Sequence, residues 1–254
     1  MDALRHYREV WLVDFEFYAP AGERPQPICM VAHELRSGRR LRVWGDELAL
    51  MPVPPWSQAS DVLVVAYYAS AEMGCCLALG WSLPLRVLDL FVEFRVLTNG
   101  RTTPCGSGLL GALSWFGLDA LDAIEKDTMR ALALRGGPYT SEEREALWSY
   151  CESDVEALCR LLPAMAPTLD VPRALLRGRY MGAAARMEWA GVPIDVPVFR
   201  KLMSRWETIR RHLVTAVDTS YGVYPDGSFS AERFRGWLAQ NDIPWPLLDS
   251  GMLV

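Results

Sequence analysis

The sequence predicts an α/β fold, in which a mixed β-sheet is flanked by helices and followed by a helical appendage. Runs of β-branched, aliphatic and aromatic residues fall mainly before residue 92, whereas helical spacing of apolar residues dominates from about residue 108. Strands interspersed with helices in this order are typical of a sheet covered by helices. With 254 residues, of which 51% are hydrophobic, the chain can bury the core of one large domain or of one domain plus an appendage.

Five strands are predicted, four before the first long helix and one after it. They cover residues 10–20, 25–35, 40–45, 61–68 and 85–91. The turn at Ser37 and Gly38 makes the second and third strands an antiparallel pair. The intervening helix covers residues 70–81, and Ser70 is its expected cap.

A long late helix is predicted to begin after a capping box formed by Thr140 and Glu143 and to end near Pro163. Its apolar stripe includes Tyr150 and also one charged residue, Asp154. Because these two residues are four apart, they lie on the same face of the helix, about one turn from each other. An aspartate in an apolar stripe marks this face as a candidate for function.

The charge of the chain is unevenly distributed. The net charge is -5, but residues 1–170 hold 15 Lys and Arg against 23 Asp and Glu, whereas residues 171–254 hold 11 against 8. An acidic surface ordinarily disfavours nucleic acid. Converging carboxylates can nevertheless meet phosphate groups when divalent cations bridge the two.

The composition of the chain also indicates its cellular compartment. No apolar run approaches the roughly 20 residues needed to cross a bilayer, and the amino terminus lacks the apolar segment of a signal peptide. The six cysteines form no CxxC pair, which favours reduced, buried thiols over a zinc site or a disulfide scaffold. We therefore expect a cytoplasmic protein with no membrane partner.

The first strand carries two acidic residues, Asp14 and Glu16, in the segment VWLVDFEFYAP. Since strand side chains alternate between faces, both carboxylates project from one side of the sheet, where they repel each other and lose hydration. Bound divalent cations would compensate both charges. An Asp-x-Glu on a strand also occurs by chance, and a Tyr and an Asp on one helix often only hydrogen-bond each other. The prediction of a metal site therefore depends on finding both motifs in one chain.

These motifs resemble those of the DEDD superfamily of 3′–5′ exonucleases, in its tyrosine-bearing subgroup. The first motif is Asp14-Phe15-Glu16 and the last is Tyr150-x-x-x-Asp154. The proofreading domains of family A DNA polymerases, particularly the phage type, and RNase D belong to this subgroup. The resemblance implies an RNase H-like mixed sheet.

The middle motif departs from the family pattern. The family usually places an aspartate just after a short apolar strand, and Glu72 stands at that position here. Asp89, further along the chain, resembles a second aspartate of RNase D-like proteins. We prefer Glu72 as the third site carboxylate and keep Asp89 as the alternative.

The resemblance implies a site with two Mg²⁺ or Mn²⁺ ions ~4 Å apart, which supply a nucleophile from water and compensate charge on the phosphate. Asp14 would bridge the ions, Glu16 and Asp154 would complete the site of the attacking water, and Glu72 would support the second ion. Tyr150, with an ordinary pKa of about 10, would stay neutral and orient the water.

The carboxy-terminal residues show a second resemblance. The segment RMEWAGVPID, residues 186–195, is similar to the junction between the exonuclease domain and the thumb of family A polymerases, but no second set of catalytic carboxylates follows. We therefore predict an exonuclease domain at residues 1–170 and a helical thumb-like segment at residues 171–254. A polymerase region or a separate polymerase chain is a candidate partner.

The sequence thus predicts a metal-dependent 3′–5′ exonuclease that acts on the 3′ end of single-stranded DNA. Two alternatives remain open. One is an RNase D-like exonuclease acting on RNA, since the fold binds both polymers similarly. The other is a catalytically impaired module that binds nucleic acid or docks to a polymerase, because Glu72 stands where aspartate is expected.

Overall fold

The computed structural model describes residues 4–118 and 123–246, and the side chains of residues 123–127 are not described. The chain divides into two compact units, residues 1–191 and 192–254. None of the helices in the described ranges combines the length and the apolar character needed to cross a bilayer.

The first unit contains most of the regular structure. Its strands are β1 (Glu9–Tyr18), β2 (Gln26–Glu34), β3 (Arg40–Trp44), β4 (Val62–Ala66) and β5 (Val87–Asp89). Its helices are α1 (Gly45–Leu50), α2 (Ala69–Ala78), α3 (Leu90–Leu97), α4 (Leu109–Trp115), α5 (Ala123–Arg135), α6 (Ser141–Met165) and α7 (Val171–Ala190).

The strands in the described part of the chain form one five-stranded sheet in the order β3-β2-β1-β4-β5. β2 is antiparallel to both of its neighbours, β1 and β3, whereas β4 runs parallel to β1 and β5 runs parallel to β4. The prediction of a mixed sheet flanked by helices is confirmed by this order. Because β1, β4 and β5 are parallel, their carboxyl ends meet at one edge of the sheet, where α/β folds commonly bind ligands.

The two faces of the sheet pack against different helices. Val10 and Leu12 of β1 belong to the hydrophobic core shared with α6 and α4. Trp11 and Val13 belong to a second core, shared with α2 and the end of α7. Since side chains alternate along a strand, the even-numbered residues of β1 continue on the α6 side.

A β-bulge in β2 interrupts its pairing with β1 beside the carboxyl end of β1. Glu16 pairs with Cys29, but the next residue, Phe17, pairs with Pro27, so Ile28 has no partner in the register. A bulge bends the strand and redirects the side chains beside it. This irregularity lies directly after the Asp14-Phe15-Glu16 motif.

Two helix ends test the predicted caps. The capping box of α6 is confirmed: Thr140 Oγ1 accepts from Glu143 N at 3.2 Å, and Glu143 Oε2 accepts from Thr140 N at 2.9 Å. The cap predicted for α2 is wrong, because the helix begins at Ala69 and the preceding residue is Tyr68 rather than Ser70. Pro163 lies inside α6, which continues to Met165.

Helix α7 packs on the sheet of the first unit. A Cβ atom at Gly178 would lie 1.9 Å from the backbone oxygen of Val87 in β5, so only glycine allows this approach. Arg177 donates to both oxygens of the buried Glu93 in α3, at 2.6 and 2.7 Å. The compact unit therefore extends 21 residues past the predicted domain boundary at residue 170.

The second unit contains α8 (Val196–Asp218) and α9 (Ala231–Gln240). Asp195 caps α8 by accepting from Val198 N at 3.0 Å, and Ser230 caps α9 by accepting from Arg233 N at 3.3 Å. The thumb-like character of this unit stays a prediction.

Candidate active site

Asp14 and Glu16 lie at the carboxyl end of β1, and strand alternation directs both towards α6. The backbone at this point is tied to α6, since the Cys151 thiol donates to the carbonyl oxygen of Asp14 at 3.3 Å. Cys151 itself is fully buried. This contact fixes the distance between the first and the last sequence motifs.

Tyr150 and Asp154 lie one turn apart on α6, as their spacing predicts, and the Tyr150 hydroxyl is hydrogen-bonded to Asp154. Tyr150 is 8% exposed. Burial raises the pKa of Tyr150 far above its usual range, and the negative charges of Asp154, Glu16 and Asp14 raise it further. Tyr150 is therefore a neutral hydrogen-bond donor at physiological pH.

Glu72 reaches the same region from the first turn of α2. It is 3% exposed, and the Phe15 backbone N–H donates a hydrogen bond to its carboxylate. Burial raises the pKa of Glu72 well above its usual range, and the charges of Asp14 and Glu16 raise it further. One carboxylate oxygen of Glu72, Oε2, is buried without a hydrogen-bond partner among the described residues.

Asp89 is as buried as Glu72, but both of its carboxylate oxygens already accept hydrogen bonds from backbone N–H groups. Its Oδ1 accepts from the N–H groups of Tyr68, Phe91 and Val92 at 3.1, 2.9 and 3.2 Å. Its Oδ2 accepts from Ala69 N at 2.8 Å. Burial raises the pKa of Asp89, and these four donors oppose that rise. Asp89 thus caps α3 and holds the start of α2.

Three separate segments therefore bring carboxylates into electrostatic range of one another: β1, α2 and α6. Within residues 4–118 and 123–246, no three His, Cys, Asp or Glu side chains lie close enough together to bind one metal ion in their present conformations. The fit to a divalent cation rests on the donor chemistry and on the buried, unpartnered oxygen of Glu72. Carboxylate oxygens are the ligands that hard cations such as Mg²⁺ prefer.

Tyr68 was expected in the fourth strand, but it lies after β4 and directly precedes α2. Tyr68 has φ 74°, a left-handed conformation that is costly for a residue other than glycine. The bonds from Asp89 to the N–H groups of Tyr68 and Ala69 hold this conformation. No local sequence pattern predicts the positive φ of Tyr68, since glycine and asparagine are the residues that usually indicate positive φ.

Comparison with protein-family models gives no match, and comparison with curated proteins gives none either. Solved structures with a similar fold include Escherichia coli RNase D, an exoribonuclease involved in structured RNA processing, at 17% identity and a TM-score of 0.48. That likeness covers 81% of this chain and 51% of the RNase D chain, so this protein spans about half the length of that relative.

Two further structures were solved with oligonucleotides. Brucella melitensis NrnC bound to pGG is 12% identical, with a TM-score of 0.47 and coverage of 76% of this chain and 92% of NrnC. Trypanosoma brucei RNase D in complex with RNA U12 is 14% identical, with a TM-score of 0.49 and coverage of 76% and 68%. Identities this low do not carry an activity from those proteins to this chain.

Proposed function

We propose that this protein is a metal-dependent 3′–5′ exonuclease that hydrolyses the terminal phosphodiester bond of a single-stranded nucleic acid. The supporting observation is that five side chains from three segments lie close enough to interact electrostatically. The charges of Asp14 and Glu16 raise the pKa of Glu72, and together with Asp154 they raise the pKa of Tyr150. A buried carboxyl group and a buried tyrosine whose pKa values are raised by neighbouring negative charges are typical of functional sites.

Four carboxylates would hold the cations: Asp14, Glu16, Glu72 and Asp154. When bound, Mg²⁺ or Mn²⁺ ions supply a hydroxide near neutral pH and compensate the charge that develops on the phosphate oxygens. The chain itself fixes the carboxylates, because Phe15 N–H holds Glu72. The neutral Tyr150 hydroxyl orients the attacking water and keeps Asp154 in place.

The structure offers a physical reason to prefer Glu72 over Asp89 as the third carboxylate. Both oxygens of Asp89 accept hydrogen bonds from backbone N–H groups, and replacing those donors by a cation would uncap α3 and α2. Glu72 keeps one oxygen unpartnered. We therefore assign metal binding to Glu72 and a positioning role to Asp89.

The substrate proposed from the sequence is the 3′ end of single-stranded DNA, with RNA as the alternative. Both polymers present the same phosphodiester to the carboxylates. Discrimination depends on contacts to the 2′-hydroxyl. A polymerase region or a separate polymerase chain remains the proposed partner, on the resemblance of residues 186–195 alone.

The test is cleavage of a 5′-labelled single-stranded DNA and of a matched RNA, in Mg²⁺, Mn²⁺ or EDTA. We expect a ladder of shortened products that requires metal and disappears in Asp14→Asn and in Glu72→Gln. Glu47→Gln is the matched control, because Glu47 is exposed on α1, and it should cleave like the wild type. Absence of a ladder on both polymers would refute the proposal and favour the binding or docking module.

A further inference from the structure

A pocket of about 720 Å³ lies in the first unit, at the end of the sheet opposite the site carboxylates. Three residues that line it stand shortly before parallel strands: Tyr7 before β1, Ser60 before β4 and Arg86 before β5. These residues therefore share the amino-terminal end of the sheet, whereas Asp14 and Glu16 lie towards the carboxyl end of β1. The first half of α7 forms the other wall. The volume is within the ~300–1,000 Å³ of sites for small ligands.

The charged groups of this pocket are all of one sign. His6, Arg86 and Arg179 line it, and no Asp or Glu is among its lining residues in the described part of the chain. This contrasts with residues 1–170 as a whole, which hold 15 Lys and Arg against 23 Asp and Glu. A positive concave surface in an acidic part of the chain favours an anionic ligand.

Both arginines of the pocket are available to such a ligand. Neither forms an ion pair with a residue that the structure describes. The carboxylates nearest to the lining residues in sequence are Asp61 and Asp170, and they are paired with Arg8 and Arg173 instead. The guanidinium groups of the pocket therefore have no carboxylate of the described chain to neutralise them.

The pocket also has a hydroxyl group and an apolar wall. Tyr7 is 4% exposed, and its ring centroid lies 4.3 Å from that of His6. Burial raises the pKa of Tyr7 and the positive charge of Arg86 opposes that rise, so the Tyr7 hydroxyl and the Arg86 guanidinium are within electrostatic range. Leu175 and the 65% exposed Leu176 contribute apolar surface from α7. The pocket thus suits a ligand that joins an anionic group to an apolar or planar body.

We propose that this pocket binds a small organic phosphate monoester, with its phosphate at Arg86 and Arg179 and its organic part against Leu175 and Leu176. A phosphate monoester carries a charge of about −1.5 to −2 near neutral pH and three acceptor oxygens, which match several cationic groups better than a singly charged carboxylate does. The planar fork of arginine donates paired hydrogen bonds to phosphate. The inference goes beyond the proposed exonuclease function and does not depend on it.

Adenosine 5′-monophosphate is the probe, because it joins a phosphate monoester to a planar ring. The titration is made in EDTA, so that no metal ion holds the probe at the carboxylates. We expect saturable binding in nuclear magnetic resonance spectra, with the largest shifts at the residues that line the pocket. Arg86→Gln and Arg179→Gln should each weaken binding by about tenfold or more, since each removes charged hydrogen-bond donors. Arg95→Gln is the matched control, because Arg95 is exposed on α3 and lies outside the pocket lining, and it should leave the affinity unchanged.

Three further ligands test the chemical class. Adenosine lacks the phosphate and benzoate carries a single charge, so both should bind about tenfold or more weakly than adenosine 5′-monophosphate. Equal binding of benzoate would overturn the assignment to a phosphate monoester. Displacement of the probe by an equimolar oligonucleotide without terminal phosphates would also overturn it, because the pocket would then bind the phosphodiesters of a strand.

This inference and the exonuclease proposal can fail separately. Binding that is kept in Asp14→Asn and lost in Arg86→Gln supports the pocket whether or not the protein cleaves nucleic acid. Binding that is lost in Asp14→Asn and kept in Arg86→Gln would place the probe at the carboxylates and overturn the inference. Absence of saturation at millimolar probe, or largest shifts outside the pocket in the wild type, would overturn it as well. Thermal melting shows whether each variant retains the fold.

Discussion

The carboxylate of Asp89 accepts a 2.8 Å hydrogen bond from the backbone N–H of Ala69, twenty residues earlier in the chain. The same side chain accepts from Phe91 N and Val92 N at the start of α3. One buried carboxylate thus links the starts of two helices that follow the parallel strands β4 and β5. Glu72 lies in the first turn of one of them, so Asp89 positions Glu72 without being a metal ligand in our assignment.

Asp89→Ala should destabilise the protein by about 3 kcal/mol, because four buried or partly buried backbone N–H groups lose their acceptor. Asp170→Ala is the matched control, since Asp170 caps α7 through one N–H, that of Arg173, and its loss should cost about 1 kcal/mol. Urea unfolding followed by circular dichroism measures both values. Equal losses in the two variants would show that Asp89 is no more than an ordinary helix cap.

Under the proposed exonuclease function, Tyr150→Phe should lower kcat by roughly 10- to 100-fold, because it removes the hydroxyl that is hydrogen-bonded to Asp154 and that we propose orients the attacking water. Since the pKa of Tyr150 is raised far above its usual range, the pH profile below pH 9 should keep its shape in the variant. Tyr180→Phe, at a 68% exposed position on α7, is the control. An alkaline limb lost only in Tyr150→Phe would instead identify Tyr150 as a titrating base.

The local part of the site follows from sequence periodicity. Alternation along β1 places Asp14 and Glu16 on one face, and helical spacing pairs Tyr150 with Asp154. Both patterns are short-range consequences of strand and helix geometry. A resemblance to a nuclease family was needed to connect the two segments and to include Glu72.

Long-range contacts account for what the sequence did not predict. Ser70 was expected to cap α2, but the carboxylate of Asp89 supplies that function from twenty residues further along the chain. Helix α7 was assigned to the carboxy-terminal segment. It packs on the sheet because Gly178 admits the backbone of Val87 and because Arg177 pairs with Glu93. No local pattern encodes such contacts.

Gly178→Ala should destabilise the first unit by about 3 kcal/mol, because the new Cβ would meet the backbone of β5, which cannot rotate away as a side chain could. Gly182→Ala is the matched control one turn along α7. A Cβ there would lie 3.8 Å from Leu83 Cδ1, an ordinary contact, so the change should stabilise α7 by about 0.5–1 kcal/mol. Thermal melting of both variants tests the packing of α7, and a tolerated Gly178→Ala would contradict it.

Glu34 should make stability depend on pH. It is 3% exposed, and its carboxylate accepts from Val10 N and Arg36 N at 2.9 and 3.0 Å, and from Ser37 N and Oγ at 2.6 and 2.7 Å. Burial alone would raise the pKa of Glu34, but these hydrogen bonds together lower it below its usual range. The ionised form is thus favoured in the folded state.

A lowered pKa in the folded state gives stability that is present above the ordinary glutamate pKa of about 4.3 and is lost as pH falls through the folded-state value. Glu34→Gln should therefore be less stable than wild type by about 1–3 kcal/mol at pH 7, and the difference should shrink below pH 4. Urea unfolding of both proteins between pH 2.5 and 7 measures it. Glu47→Gln, at an exposed site, should match wild type throughout, and a pH-independent loss in Glu34→Gln would mean that the Glu34 charge makes no contribution.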